Sequence, residues 1–220
     1  MSELWGVLTR HFPEFASGFF VTCKFVVLAF GIAMVLGLLV AALRVSPPRF
    51  LKIIGAIYVE TFRNVPLLIL LFIMYAGVRR AGIPITPLIS GVLALGIYTS
   101  AYVAESIRSG VFAVGRGQVD AALSLGFTYP QTLRKIVLPQ AVRTVIPPLG
   151  NLMIAMIKNS AVIGVALGLA DDLLKQARLI NSETFQTHEV FFWAGVGYLM
   201  LTIPATFLVR YLEQRLAIRR

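Results

Sequence analysis

Asp120-Ala121-Ala122-Leu123-Ser124-Leu125-Gly126 is followed, after nine residues, by Ile136-Val137-Leu138-Pro139. This stretch interrupts long apolar runs on both sides. It carries Arg134 and Lys135 and is flanked by Arg116 and Arg143. Ala121, Ala122 and Leu123 are strong helix formers. Asp120 in a first turn would suit the positive end of a helix dipole. Gly126 is a natural residue just past a helix end. Thr128 can cap a second helix, with Pro130 at or near its first position. Pro139 then ends or kinks that helix. The reading is helix, turn, helix over about 111–143. Small residues at Ala121, Ala122 and Ser124 leave one face low enough to lie in a partner's groove. A structured polar insert between membrane spans needs a soluble partner or a soluble job.

The runs around the insert set the fold class. Of the 220 residues, 58% are hydrophobic and only 14% are charged. An ordinary soluble domain carries about 25% charged residues. Mean hydropathy is +0.83, and several runs reach the roughly 20 residues that cross a bilayer. Alternating strands are not evident, so a membrane barrel is not expected. The expectation is an all-α integral membrane protein, a single transmembrane domain over residues 1–220. The net charge of +10 would suggest nucleic acid in a soluble chain; here it marks cytoplasmic loops. Cys23 is alone and reads as core packing. His11 and His188 are far apart, so no metal site is expected. No cleavable signal peptide is read in the first residues, and the first apolar run is taken as a retained span.

Five spans fit best, at about 18–43, 57–78, 88–107, 145–169 and 190–209. Five spans put the two ends on opposite sides. With the amino end outside, the cytoplasmic segments hold Arg44, Arg49, Lys52, Arg108, Arg116, Arg134, Lys135, Arg143, Arg210, Arg215, Arg219 and Arg220. The outer segments hold Arg10, Arg79, Arg80, Lys175 and Arg178. Twelve basic residues inside against five outside favours that orientation by the positive-inside rule. Glu3, Glu14, Asp171, Asp172, Glu183 and Glu189 then fall outside, the last four in the loop before span five. The insert falls in the cytoplasm, where ATP is.

The spacing Ala121-Ala122, Gly126, Ile136-x-Leu138-Pro139 resembles the cytoplasmic signature of ABC importer permeases, with Asp120 where the family has glutamate. The stretches Tyr58 to Leu68, Ala101 to Gly110 and Pro147 to Asn151, with Ile157 to Ser160, resemble the polar amino-acid group of that family: importers of histidine, glutamine, glutamate and arginine. The resemblance covers roughly residues 18–168. Asn159-Ser160-Ala161 departs from the aspartate-containing run that many relatives have after the lysine.

The resemblance implies a translocation subunit rather than an enzyme, in a bacterial inner membrane. It makes Asp120, Ala121, Ala122, Gly126, Ile136, Leu138 and Pro139 the ATPase-coupling segment. It implies two ATP-binding subunits, a second permease chain, identical or homologous, and an extracytoplasmic binding protein. The chain has no Gly-x-x-x-x-Gly-Lys-Ser/Thr loop, so ATP and Mg belong to the partner ATPase and no cofactor is expected on this chain. An intramembrane enzyme would need a buried catalytic set, and neither histidine is deep in a span. A passive channel would have no use for the docking loop.

Charged residues inside spans are the substrate-route candidates. A charge at the bilayer centre costs about 2.5–3.5 kcal/mol on the insertion scale, so Lys158 is not expected to face lipid. Asn151, Ala155 and Lys158 share one helix face, with Asn159 near it. Lys158 either holds a substrate carboxylate, with Asn151, Asn159 or Ser160 adding hydrogen bonds, or pairs internally with a carbonyl or a glutamate. Glu60 and Arg63, like Glu105 and Arg108, lie three apart and can pair on one helix face. Arg63, with Asn64 beside it, is the better route candidate of the two pairs, and Pro66 can bend the helix there. Leu152 stands where transporters of basic amino acids can carry an acid. Lys158 without a nearby acid favours an acidic or neutral substrate. Glutamate leads; glutamine, a basic amino acid or another small substrate is the alternative.

Overall fold

The computed structural model describes residues 2–167 and 171–216. Leu169, the expected end of span four, and Arg219 and Arg220 of the basic tail lie outside them.

Among the described residues every regular element is helical. A short α1, Ser2–Arg10, precedes α2, Phe12–Val45, which has Pro13 in its first turn. At 34 residues, α2 is about 50 Å long, well beyond a hydrocarbon core of about 30 Å. It stops at Ser46, whose amide and hydroxyl both donate to the Ala42 carbonyl. Pro47 and Pro48 then prevent continuation.

The second apolar run is broken. Helix α3, Arg49–Asn64, ends at Val65, held extended at φ −84°, ψ 128° by the proline that follows. The chain turns by 102° and resumes as α4, Leu67–Phe72. A π turn, Ile73–Gly77, leads into α5, Val78–Arg80. The expected span at 57–78 is therefore a bent pair of helices. Pro66 causes the bend, because it restricts Val65 and offers no amide of its own.

Helix α6, Pro87–Phe112, opens with Thr86 accepting from the Ile89 amide and Pro87 in the first turn. After the insert, α9, Leu138–Leu167, and α11, Thr187–Leu216, carry the last two apolar runs. Between them the expected loop is a helix, α10 (Leu173–Thr184). The insert between α6 and α9 holds α7, Arg116–Ser124, and α8, Tyr129–Thr132. Among the described residues four helices are long and apolar enough to cross a membrane, or up to five if the bent pair is one span.

Packing of α2 on α6 depends on small residues. Ala29, Ala33, Ala101 and Ala104 are completely buried. A Cβ on Gly37 would collide with the Val103 side chain. Lipid is as apolar as leucine, so helices in it associate by close backbone approach rather than by expelling water. The main core gathers Phe25, Leu71, Leu95, Met156 and Ile163 from α2, α4, α6 and α9. A second, smaller core joins α1, the start of α2, α10 and the start of α11 around Phe15, Leu173, Ala177, Ile180 and Val190. Trp193 locks it: its indole donates to the Leu4 carbonyl at 2.8 Å and its ring meets Trp5 at 5.2 Å.

Candidate functional site

The polar insert is built from its caps outward. Helix α7, Arg116–Ser124, ends on Leu125. Gly126 follows at φ +80°, and its amide donates to Leu123 while the Phe127 amide donates to Ala122. Those two bonds are the Schellman arrangement, which satisfies the last carbonyls of the helix. The Thr128 hydroxyl and the Gln131 side chain form a reciprocal capping box that starts α8, Tyr129–Thr132.

Two details differ from expectation. Asp120 is the fifth residue of α7 rather than in its first turn, so its charge does not serve the helix dipole there. Pro139 does not end the second helix. A π turn at Leu133–Val137 precedes it, and the helix runs unbroken from Tyr129 to Ala166. The π turn adds a residue to one turn of the helix just upstream of Pro139. Such bulges absorb the missing amide and ring clash of a proline. The insert's second helix is thus one rod with the fourth span.

Ala122 is buried and Ile136 half-buried, while Asp120, Ala121, Gly126, Leu138 and Pro139 are exposed. Around them Leu125 is 78% and Tyr129 67% exposed. Large apolar side chains so open on a polar segment leave a face that needs a cover.

An open pocket of about 380 Å³ lies between α3, α6 and α9. Arg63, Tyr102, Glu105, Ser106, Thr144 and Leu152 line it. The Arg63 guanidinium stands 5.4 Å from the centre of the Tyr102 ring, within cation–π range. The Tyr102 hydroxyl donates to the Arg63 carbonyl at 3.2 Å. Glu105 accepts from Arg108 on its own helix and from Arg44 on α2, tying those helices together. The expected Glu60–Arg63 pair does not form. Glu60 instead accepts from the Asn64 side-chain amide at 3.2 Å, because Arg63 turns to Tyr102 on α6.

On α9, Asn151 and Lys158 are exposed on the single chain and Asn159 is half-buried. Among the described residues Lys158 has no acidic partner within 4.0 Å. Ser160 is buried and donates to the Ile157 carbonyl at 2.7 Å, so it does not share their open face. The structure joins Arg63 with Leu152 at one pocket and leaves Lys158 and Asn151 exposed on α9, outside its lining. Sequence reasoning passes over Tyr102 as a lining residue; a tyrosine within a span is the signal that points to it.

The sequence places Asp172 in a loop. In the structure it is buried, caps α10 by accepting from the Lys175 amide at 2.9 Å, and leaves its second oxygen without a partner. An aspartate just before an apolar run is the cap signal that marks it. Burial, the largest cause, pushes its carboxyl from 3.8 up to about 6, against the lowering effects of the Lys175 amide and charge. Folded Asp172 therefore keeps a proton that the unfolded chain has lost between pH 3.8 and about 6. Its contribution to stability is full below that window and is lost as pH rises through it. Hydrogen exchange of the α10 amides, corrected for intrinsic rates, is expected to be slower at pH 5 than at pH 7.5. Asp172→Asn keeps the capping oxygen and flattens this dependence; an unchanged pH dependence in that variant would sink the assignment.

Residues 33–218 match the family described as binding-protein-dependent transport system inner membrane component. The chain belongs to that family. It is 43% identical over 210 residues to the probable glutamine ABC transporter permease protein GlnM of Bacillus subtilis (strain 168), covering 96% of each chain. It is 35% identical over 232 residues to the glutamate transport system permease protein GluC of Corynebacterium glutamicum, covering 100% of each. A solved amino acid ABC transporter with histidines superposes with a TM-score of 0.89 at 37% identity, covering 94% of this chain and 96% of that one. This chain is accordingly a membrane permease component of a bacterial importer and not itself an enzyme.

Proposed function

We propose that the chain is the translocation subunit of an ATP-driven importer of polar amino acids, with glutamate the leading substrate and glutamine the alternative. The observation that carries this reading is Lys158, exposed on α9 with no acidic partner among the described residues, in a bundle that also presents the Arg63–Tyr102 pocket and the Asp120–Pro139 segment. Two cations without a carboxylate within 4.0 Å among the described residues, Arg63 and Lys158, favour a ligand with a carboxylate. Glu105 is already engaged by two arginines, so it offers little to a basic side chain. The named substrates of the relatives, glutamine and glutamate, are both consistent with this chemistry.

The amino end lies outside, and the insert docks in the cytoplasm on one of two ATP-binding subunits. A second permease chain covers the open face of α9, and an extracytoplasmic binding protein delivers substrate. ATP acts through its different affinity for the inward-open and outward-open states, so nucleotide and substrate affinities are coupled in both directions. Gly126 and the capping box keep α7 rigid enough to pass the movement of the ATPases to α9 through the continuous rod.

Uptake of labelled glutamate, glutamine, arginine and histidine into vesicles, with the full importer reconstituted, tests the reading. Lys158→Ala is expected to lower uptake of the transported acid or amide about tenfold or more, the factor for ~1.4 kcal/mol, while basal ATPase activity persists. Undiminished uptake would return Lys158 to a structural role and assign selectivity to the delivery protein. Preferential uptake of arginine would overturn the carboxylate argument.

A further inference from the structure

Two of the buried polar atoms without a hydrogen-bond partner lie at the end of the bundle away from the insert. They are Oδ2 of Asp172 and the hydroxyl of Tyr198. A buried polar atom left unpaired is costly. Asp172 uses only Oδ1, to cap α10. No cation among the described residues stands within 4.0 Å of its carboxylate. Lys175, one turn on, is held by Asp171 at 2.7 Å.

Both atoms meet the same face of α9. The Asp172 carboxylate fills the space that a Cβ on Gly164 would need. The Tyr198 hydroxyl lies near Ser160 and within reach of the Asp172 charge. The Ser160 hydroxyl is already given to the Ile157 carbonyl at 2.7 Å. Ser160 and Gly164 stand one helical turn apart, about 5.4 Å along one face. Tyr198 and Asp172 are therefore near neighbours that do not bond, and a small shift would join them.

The elements that carry these groups are held differently. The start of α10 is fixed: the Leu173 amide donates to the Thr22 hydroxyl of α2 at 3.1 Å. Leu173 also fits so closely against Gly18 of α2 and Gly197 of α11 that a Cβ on either would collide with it. Tyr198 packs against both hydrophobic cores, so it stands at the seam between the main bundle and the α1–α10 unit. Ser160 and Gly164 belong to the far end of the continuous helix Tyr129–Ala166, 38 residues or about 57 Å long, which begins in the insert. A displacement of the insert reaches this seam through that rod.

We propose that Tyr198 and Asp172 form a latch worked by the rod: when the insert moves, the face with Ser160 and Gly164 shifts, and the Tyr198 hydroxyl donates to Oδ2 of Asp172. The latch ties α10 to α11 in the ATP-bound state and frees it in the nucleotide-free state. Helix shifts of about 1–2 Å are common in such switches. Tyr198 and Asp172 act as positioning residues, since neither lines the Arg63–Tyr102 pocket. The inference rests on the reading of the insert as the ATPase-docking segment.

Hydrogen exchange of the α10 amides in the intact importer, without nucleotide and with ATP trapped by vanadate, reads the latch. Protection is expected to be about tenfold greater in the trapped state, a change of about 1.4 kcal/mol. Tyr198→Phe removes only the hydroxyl. It is expected to abolish that increment, leave protection without nucleotide unchanged and lower uptake severalfold. Asp172→Ser keeps a capping oxygen and removes the second acceptor. It is expected to abolish the same increment, and adding Tyr198→Phe to it should change the increment no further, because groups in contact are non-additive. Wild-type uptake and vanadate-sensitive ATP hydrolysis, read in the same samples, judge the transport reading; the α10 amides judge the latch. Equal protection in the two nucleotide states of the wild type would overturn it, as would an increment that survives Tyr198→Phe. Protection lowered equally in both states by Tyr198→Phe would overturn it in favour of a fixed structural contact.

Discussion

Replacing Gly126 by valine is expected to abolish ATP-driven uptake while the chain still inserts and reaches its normal level in the membrane. The argument is conformational. A Cβ at Gly126 would meet nothing within 4 Å, but the residue stands at φ +80°. Left-handed backbone of this kind costs an ordinary residue roughly 1–2 kcal/mol, and a β-branched one more. Valine would relieve that cost by leaving the left-handed region. The two Schellman bonds to Ala122 and Leu123 would go with it, and the angle between α7 and α8 would change. Alanine should show a weaker form of the same defect. Asparagine, which tolerates this region and is found at helix ends, should retain most uptake. Uptake and substrate-stimulated ATPase activity measured for the three variants give a rank order: asparagine, alanine, valine. Normal uptake by the valine variant would remove Gly126 from the coupling segment. A loss that is equal for asparagine and valine would point to a contact with the partner instead of backbone shape.

Gly164→Ala is expected to destabilise the fold by about 2–4 kcal/mol, combining an overpacking cost with loss of a helix cap. The Asp172 carboxylate occupies the space a Cβ on Gly164 would need. The new methyl must expel that carboxylate, which frees the Lys175 amide and lifts α10 away from α9. A double-mutant cycle distinguishes this from a general helix effect. If the added methyl and the Asp172 carboxylate compete for one volume, the cost of Gly164→Ala shrinks by more than about 1 kcal/mol when Asp172 is already replaced by alanine, since contacting residues are non-additive. Unfolding by SDS titration provides the free energies. Additive costs would show that the clash is relieved elsewhere.

Local rules made much of this chain legible. Apolar runs longer than a bilayer is thick announce spans whatever their partners are. Gly126, Thr128 and Pro130 act within a few residues of chain, so the turn of the insert and its capping could be read directly. Lys158 also stood out from the sequence alone, because a lone charge in an apolar run is visible without coordinates.

Other features depend on residues far apart in the chain. Glu60 and Arg63 have the spacing of a pair, yet Arg63 stacks on Tyr102, 39 positions on, and spacing cannot weigh that competitor. Pro139 looks like a stop, but tertiary packing holds the π turn at Leu133–Val137 that lets the helix pass through it. The acidic stretch after span four looks like loop until Leu173, Ala177 and Ile180 are seen to pack with Phe15 and Val190.

Sequence alone determined the helical membrane class, the number of apolar runs and the cap chemistry of the insert, because hydrophobic transfer and helix capping are local or additive. Only the tertiary structure decided that Asp172 is buried against Gly164 and that Arg63, Tyr102 and Leu152 line one pocket. Those outcomes depend on which of several distant surfaces fills a given volume, and that choice is made only when the helices pack.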